Sequence, residues 1–116
     1  MSAETEFRAA LVAHTALSDL VGTRIAQNAV PDGSSMPCVV YASTRTPDFH
    51  LDNSVGATNV QFEVQCWAST SAEAAEVADE VEAALLAVYT VCTARSTTFD
   101  PEMGLDGEIL TADWWE

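Results

Sequence analysis

Asp48-Phe49-His50-Leu51-Asp52 puts two carboxylates and an imidazole along one extended segment, a donor set that suits a divalent cation. The segment has no glycine to bend it around an ion and no further ligands. A solvated loop or an interface is the competing reading, and no metal site is assigned there. Residues 100–108 place acids at alternate positions in the manner of a calcium loop. Glycine stands at the fifth position, where a ligand belongs, and no glutamate follows at the twelfth, so a glycine-containing turn between two strands is expected instead. Neither His14 nor His50 has a serine or cysteine partner in a nucleophile elbow, and no phosphate-cradling or dinucleotide-binding glycine motif is present. The absence of lysine excludes Schiff-base chemistry. No catalytic residue and no cofactor is expected. Cys38, Cys66 and Cys92 form no CxxC pair and have no histidine at zinc-ligand spacing; Cys38 and Cys66 sit in apolar runs and read as reduced core residues. At the C-terminus a strand would send Trp114 and Trp115 to opposite faces, one into the core and one towards a partner.

Charge sets the next limit. The 116 residues are 48% hydrophobic and 19% charged, a globular balance sufficient for one domain over residues 1–116. Eighteen acids oppose four arginines, Arg8, Arg24, Arg45 and Arg95, for a net charge of −14. Residues 1–58 hold six acids and three arginines, whereas residues 59–116 hold twelve acids and one arginine. Sequence-independent DNA binding needs a stripe of cations that releases phosphate counterions, and this chain cannot assemble one. The acidity reads as a solubilising surface, as a wall that does not hold DNA, as a DNA mimic or as salt adaptation. No apolar run approaches the ~18 residues of a membrane span, and residues 1–7 carry two glutamates where a secretory signal carries positive charge. Neither a membrane location nor export is expected.

Apolar periodicity supplies the elements. Phe7, Leu11, Leu17, Leu20 and Val21 predict a helix over residues 4–21 that ends at Gly22. A short apolar piece at residues 24–26 precedes a Pro/Gly loop and a strand over residues 38–44. Val60, Phe62, Val64 and Cys66 alternate with Gln61, Glu63 and Gln65, predicting a strand with one packed face and one wet face. Residues 45–58 between these strands are too long for a tight turn, so an extended arm or a mobile loop is expected. Thr70-Ser71-Ala72-Glu73 is a capping box, opening a helix whose buried stripe runs Ala74, Val77, Ala78, Val81, Ala84, Leu85 and Val88. Strands over residues 91–99 and 109–115 follow, with a turn over residues 100–107 between them. The order predicts an α+β fold: two helices packed on one face of an antiparallel or mixed β-sheet, with a long hairpin loop.

Six stretches in this order resemble one family: Leu17-Ser18-Asp19-Leu20-Val21-Gly22-Thr23-Arg24-Ile25, Pro37-Cys38-Val39-Val40-Tyr41, His50-Leu51-Asp52, residues 60–68, Glu73-Ala74 through Val77-Ala78 to Ala84-Leu85, and Asp100-Pro101-Glu102-Met103-Gly104-Leu105. The chain resembles the tail-terminator or tail-completion proteins of long-tailed phages and gene transfer agents. That resemblance implies a structural virion protein without catalytic residues. It would form a ring, a hexamer, at the head-proximal end of the tail tube, where it ends tube polymerisation and docks to the head–tail connector. The partners implied are copies of itself, the tail tube protein and the connector protein, with assembly in the host cytoplasm. DNA would pass through without being bound by charge. Under the same resemblance Asp48, Phe49, His50, Leu51 and Asp52 become interface candidates, beside Trp115, which tryptophan's enrichment at interfaces already makes one. An acidic DNA mimic that inhibits a host nucleic-acid enzyme is the alternative function.

Twelve acids crowded into half of a small domain repel one another, and compaction raises that repulsion above its value in the unfolded chain. Between about 0.01 and about 1 M NaCl the Debye length falls from ~30 to ~3 Å, so the melting temperature is expected to rise across that range. A flat or falling melting temperature in a differential scanning titration would mean that the acids are already compensated.

Overall fold

The chain runs through α1 (Ala3–Ala13), α2 (Thr15–Val21), β1 (Ile25–Gln27), β2 (Cys38–Phe49), β3 (Val55–Ala68), α3 (Ser71–Leu86), β4 (Cys92–Asp100) and β5 (Leu105–Trp115). It is a computed structural model that describes residues 3–22, 24–28, 36–49 and 55–115. The strands form one sheet in the order β1-β2-β3-β5-β4. β1 runs parallel to β2, and every other neighbouring pair is antiparallel, so the sheet of this α+β fold is mixed.

Register decides which face is buried. Val39 and Tyr41 of β2, Val60, Phe62, Val64 and Cys66 of β3, and Leu110 and Ala112 of β5 fall on the same side and are buried. The helices cover that side. Phe7 of α1 stacks on Phe62 with ring centroids 3.9 Å apart and planes 8° from parallel. Trp114 meets both rings edge-on, at 5.8 Å from Phe7 and 6.2 Å from Phe62. Of the two C-terminal tryptophans, Trp114 therefore packs against the core.

The helix expected over residues 4–21 is two helices, broken at His14, whose φ of −83° and ψ of 105° are extended. Ala3, Phe7 and Leu11 are the buried residues of α1, and Leu17 and Val21 those of α2. The displaced imidazole meets Glu80 of α3, with Nε2 and Oε2 2.8 Å apart.

α3 begins as its sequence predicts: the Thr70 side chain accepts a hydrogen bond from the Glu73 backbone N–H at 3.2 Å. Its buried residues are Ala74, Val77, Ala78, Val81, Ala84 and Leu85. Val88, expected on this stripe, is exposed instead, because the helix ends two residues earlier. Thr90 N–H donates to Leu85 C=O and Tyr89 N–H to Leu86 C=O, the paired bonds of a Schellman ending. Tyr89 takes the left-handed position usual for glycine, with φ of 63°.

The face of the sheet away from the helices has its own packing. Cys38, Trp67, Gly107 and Thr98 form a row across four strands. A Cβ on Gly107 would come within 2.8 Å of the Trp67 ring and 3.0 Å of Thr98 Cγ2, so only glycine lets the indole lie across β5. Gly107, expected in the turn after Asp100, thus belongs to the strand. The turn itself is residues 101–104, closed by the Gly104 N–H donating to Asp100 C=O at 2.8 Å.

Val77 is fully buried and Glu76 exposed. Val77→Asp would bury an unpaired carboxylate and is expected to cost several kcal/mol of a total of about 5–15. Glu76→Gln should leave the thermal midpoint nearly unchanged. Equal midpoints for the two variants would show that the core lies on another face.

Candidate assembly interface

Two features dominate the surface: a two-stranded ribbon and a compensated acidic cluster. β2 and β3 pair continuously from Cys38↔Trp67 to Pro47↔Thr58, and Phe49↔Val55 follows after an irregularity. The segment over residues 45–58, expected as an extended arm or a mobile loop, is therefore strand on both sides as far as Phe49 and Val55. β1 ends opposite Tyr41, and β5 ends opposite Asn59. Beyond those rungs the ribbon has, among the described residues, only its own two strands. At ~3.3 Å per residue, Val55 lies about 13 Å past the last rung with β5.

Two of the sequence-derived interface candidates lie on the ribbon. The backbones of Asp48 and Phe49 lie at its far end. His50, Leu51 and Asp52 fall outside the described residues. Trp115 pairs with Asn59 at the ribbon's root, so the fold gathers Asp48, Phe49 and Trp115 at one end of the sheet. The root is tied down by Arg45, whose guanidinium makes a two-pronged bond to Glu4 in the first turn of α1 at 2.6 and 2.5 Å. Hydrogen bonding from Arg45 holds the Glu4 carboxyl below the ordinary carboxylate range.

The acidic half is organised around Arg95, which sequence reasoning had passed over. Arg95 lies on β4 and turns towards α3. Its Nη1 donates to Asp79 at 2.7 Å and to Glu82 at 2.8 Å, and its Nη2 donates to Glu108 at 3.3 Å and to the Ala75 carbonyl at 3.3 Å. Glu108 is only 7% exposed, and every buried side-chain N and O among the described residues has a partner. Burial opposes the Arg95 charge, and its bonds to Asp79, Glu108 and Glu82 outweigh that opposition, raising its pKa further. The expected mutual repulsion of residues 73–82 and 100–108 is thus partly cancelled from within the chain. The one signal available in the sequence was that a single cation stood among twelve acids.

The other arginines are also engaged. Arg8 donates to the Ile25 carbonyl, and Arg24 donates to the carbonyls of Pro37 and Leu20. Asp100 spends its carboxylate on the turn, accepting from the N–H groups of Glu102 at 3.0 Å and Met103 at 3.4 Å. Burial raises the thiol pKa of Cys38, Cys66 and Cys92, keeping them protonated and poorly nucleophilic. A cleft of about 600 Å³ between α1, β1 and β2 is lined by Glu4, Arg8, Gln27 and Tyr41, and burial likewise keeps the Tyr41 phenol un-ionised. This chemistry suits holding surfaces together.

Residues 5–105 match the family model of the tail completion protein gp17. The chain belongs to this family. It is a structural protein of phage tails. No curated protein matches it. Among solved structures, its fold is similar to that of a chain in the virion of a native gene transfer agent particle. The two share 17% identity over 92% of this chain and 88% of the other, with a TM-score of 0.77.

Arg95→Met would leave the nearly buried Glu108 beside Asp79 and Glu82 without a cation. Unfolding by denaturant is expected to show a loss of roughly 2 kcal/mol, between the values for exposed and buried ion pairs. Adding Glu108→Gln should recover part of it. Equal stability of Arg95→Met and the parent would show that the cluster contributes nothing.

Proposed function

We propose that the protein forms a hexameric ring at the head-proximal end of the tail tube, where it ends tube polymerisation and offers the head–tail connector a docking face. The observation that carries this reading is the ribbon. A two-stranded ribbon is marginal in water by itself, so one that outruns both flanking strands of its sheet is best explained by a partner surface. Membership of the tail completion family supports this reading, in which the partners are further copies of this chain, the tail tube protein and the connector. The resemblance in fold to a gene transfer agent virion chain supports a place in such particles. Within this reading residues 1–116 act as one domain, assembly takes place in the host cytoplasm, and Asp48, Phe49, His50, Leu51, Asp52 and Trp115 serve as contacts between subunits or rings.

Acidity fits the same role. With its four arginines bonded within the chain and a net charge of −14, a ring of several copies repels phosphates, and DNA passing through it slides rather than binds.

Deleting residues 48–55 shortens the ribbon without touching the core. Tail completion is expected to fail, with tubes left uncapped in electron micrographs, while the thermal midpoint stays within a few degrees of the parent. Normal tails from the deletion would overturn the role given to the ribbon.

A further inference from the structure

We propose that the free edge of β4 receives the β2–β3 ribbon of a second copy of this chain, so that the sheet continues across the subunit boundary. The inference rests on the ring reading and names the surfaces that join.

β4 is the terminal strand of the sheet, nine residues long and, among the described residues, paired with β5 alone. Its outer side presents the N–H and C=O groups of alternate residues. Proteins blunt such an edge with lysine, proline, a bulge or a covering element. β4 contains no lysine or proline, its only irregularity lies between Cys92 and Ala94, and its residues from Thr93 to Thr97 are exposed. Val91 just before it and Phe99 near its end are 67% and 56% exposed, apolar at both ends of an otherwise polar edge.

Charge selects a second copy as the occupant. Eighteen acids are distributed along the chain, yet none falls within residues 92–99, 38–47 or 55–62. Bodies of net charge −14 approach one another at least cost where their carboxylates are absent. The two longest acid-free runs of the sequence, residues 83–99 and 33–47, hold β4 up to its last residue, Asp100, and β2 up to Asp48, and a third, residues 53–62, holds the outer half of β3. On its β5 side the ribbon has residues 55–58 beyond the Asn59↔Trp115 rung, without a neighbouring strand among the described residues. Joining two unlike edges is a head-to-tail contact, which closes into a ring when the rotation per copy fits, whereas β4 against β4 would give a two-fold dimer.

The test uses Ser96→Pro and Thr97→Pro in the full chain. Successive N–H groups of a strand point to opposite sides, so one substitution removes a bond to β5 and lowers the melting temperature, and the other removes an outer donor alone. The variant that keeps its melting temperature is expected to lose ring formation on purified tail tubes by about tenfold or more. In the parent, amide exchange at residues 93–99 should slow by at least about tenfold on going from monomer to ring. A temperature-neutral variant that forms rings normally, or parent rings with unprotected β4 amides, would overturn the inference and leave the ring reading standing. Two-fold dimers by light scattering would overturn it in favour of β4–β4 pairing. Failure of the parent chain to assemble on tubes would overturn the ring reading, and this inference with it.

Discussion

Carboxylate repulsion is the constraint that the rest of this molecule answers to. With four cations against eighteen acids, any place where two elements pack closely has to be free of acids or held by one of those cations. α3 can lie over the edge of the sheet because Arg95 takes Asp79, Glu82 and Glu108 into one cluster. α1 can sit over the ribbon root because Arg45 binds Glu4, and Glu80 meets the one histidine that the broken helix turns towards it. The contribution of these contacts lies less in net attraction, which is modest for partly exposed pairs, than in allowing the apolar faces beneath them to close.

What those contacts permit is the aromatic stack at the root of the ribbon. Phe7, Phe62, Trp114 and Tyr41 come from a helix and three strands, and they meet where β2 and β3 begin to leave the sheet. A projecting ribbon acts as a lever on its base. Large rings packed edge-on and face-on resist that load better than small aliphatic side chains, because each fixes a large area with few torsions. The break at His14 serves the same purpose, since it lets α1 place Phe7 on Phe62 while α2 continues to bury Leu17 and Val21.

Where burial imposes a period, the sequence shows it. The alternation from Val60 to Cys66, the α3 stripe and the Thr70 cap all carry local signals, and each stands in the structure where its pattern places it. Residues 45–58 carry no apolar alternation to set a register, so they read as either an extended arm or a mobile loop, and the arm is what the strands to Phe49 and from Val55 form. The helix break at His14 has no glycine or proline beside it to announce it. Arg95 meets its partners across 13 to 16 residues, and Gly107 is explained only by an indole 40 positions earlier. Neither relation has a local signature. Of the interface candidates, Asp48, Phe49 and Trp115 came to one end of the sheet because strand register, which apolar alternation does encode, carried them there.

The distribution of acids then acquires a directional meaning. Charge concentrated on α3 and on the turn after β4 keeps identical copies apart over most of the surface, while β4 up to Phe99 and β2 up to Pro47 carry no acid. Repulsion of this kind is indifferent to detail at long range, so it biases mutual orientation before any contact forms. Backbone hydrogen bonds at a sheet edge have the opposite character: they are short-ranged, and they tolerate almost any side chain. A surface that excludes wrong approaches by charge and accepts the right one through the main chain needs few specific side-chain contacts. The sparse, threonine-rich sequence of β4 is what such an edge requires.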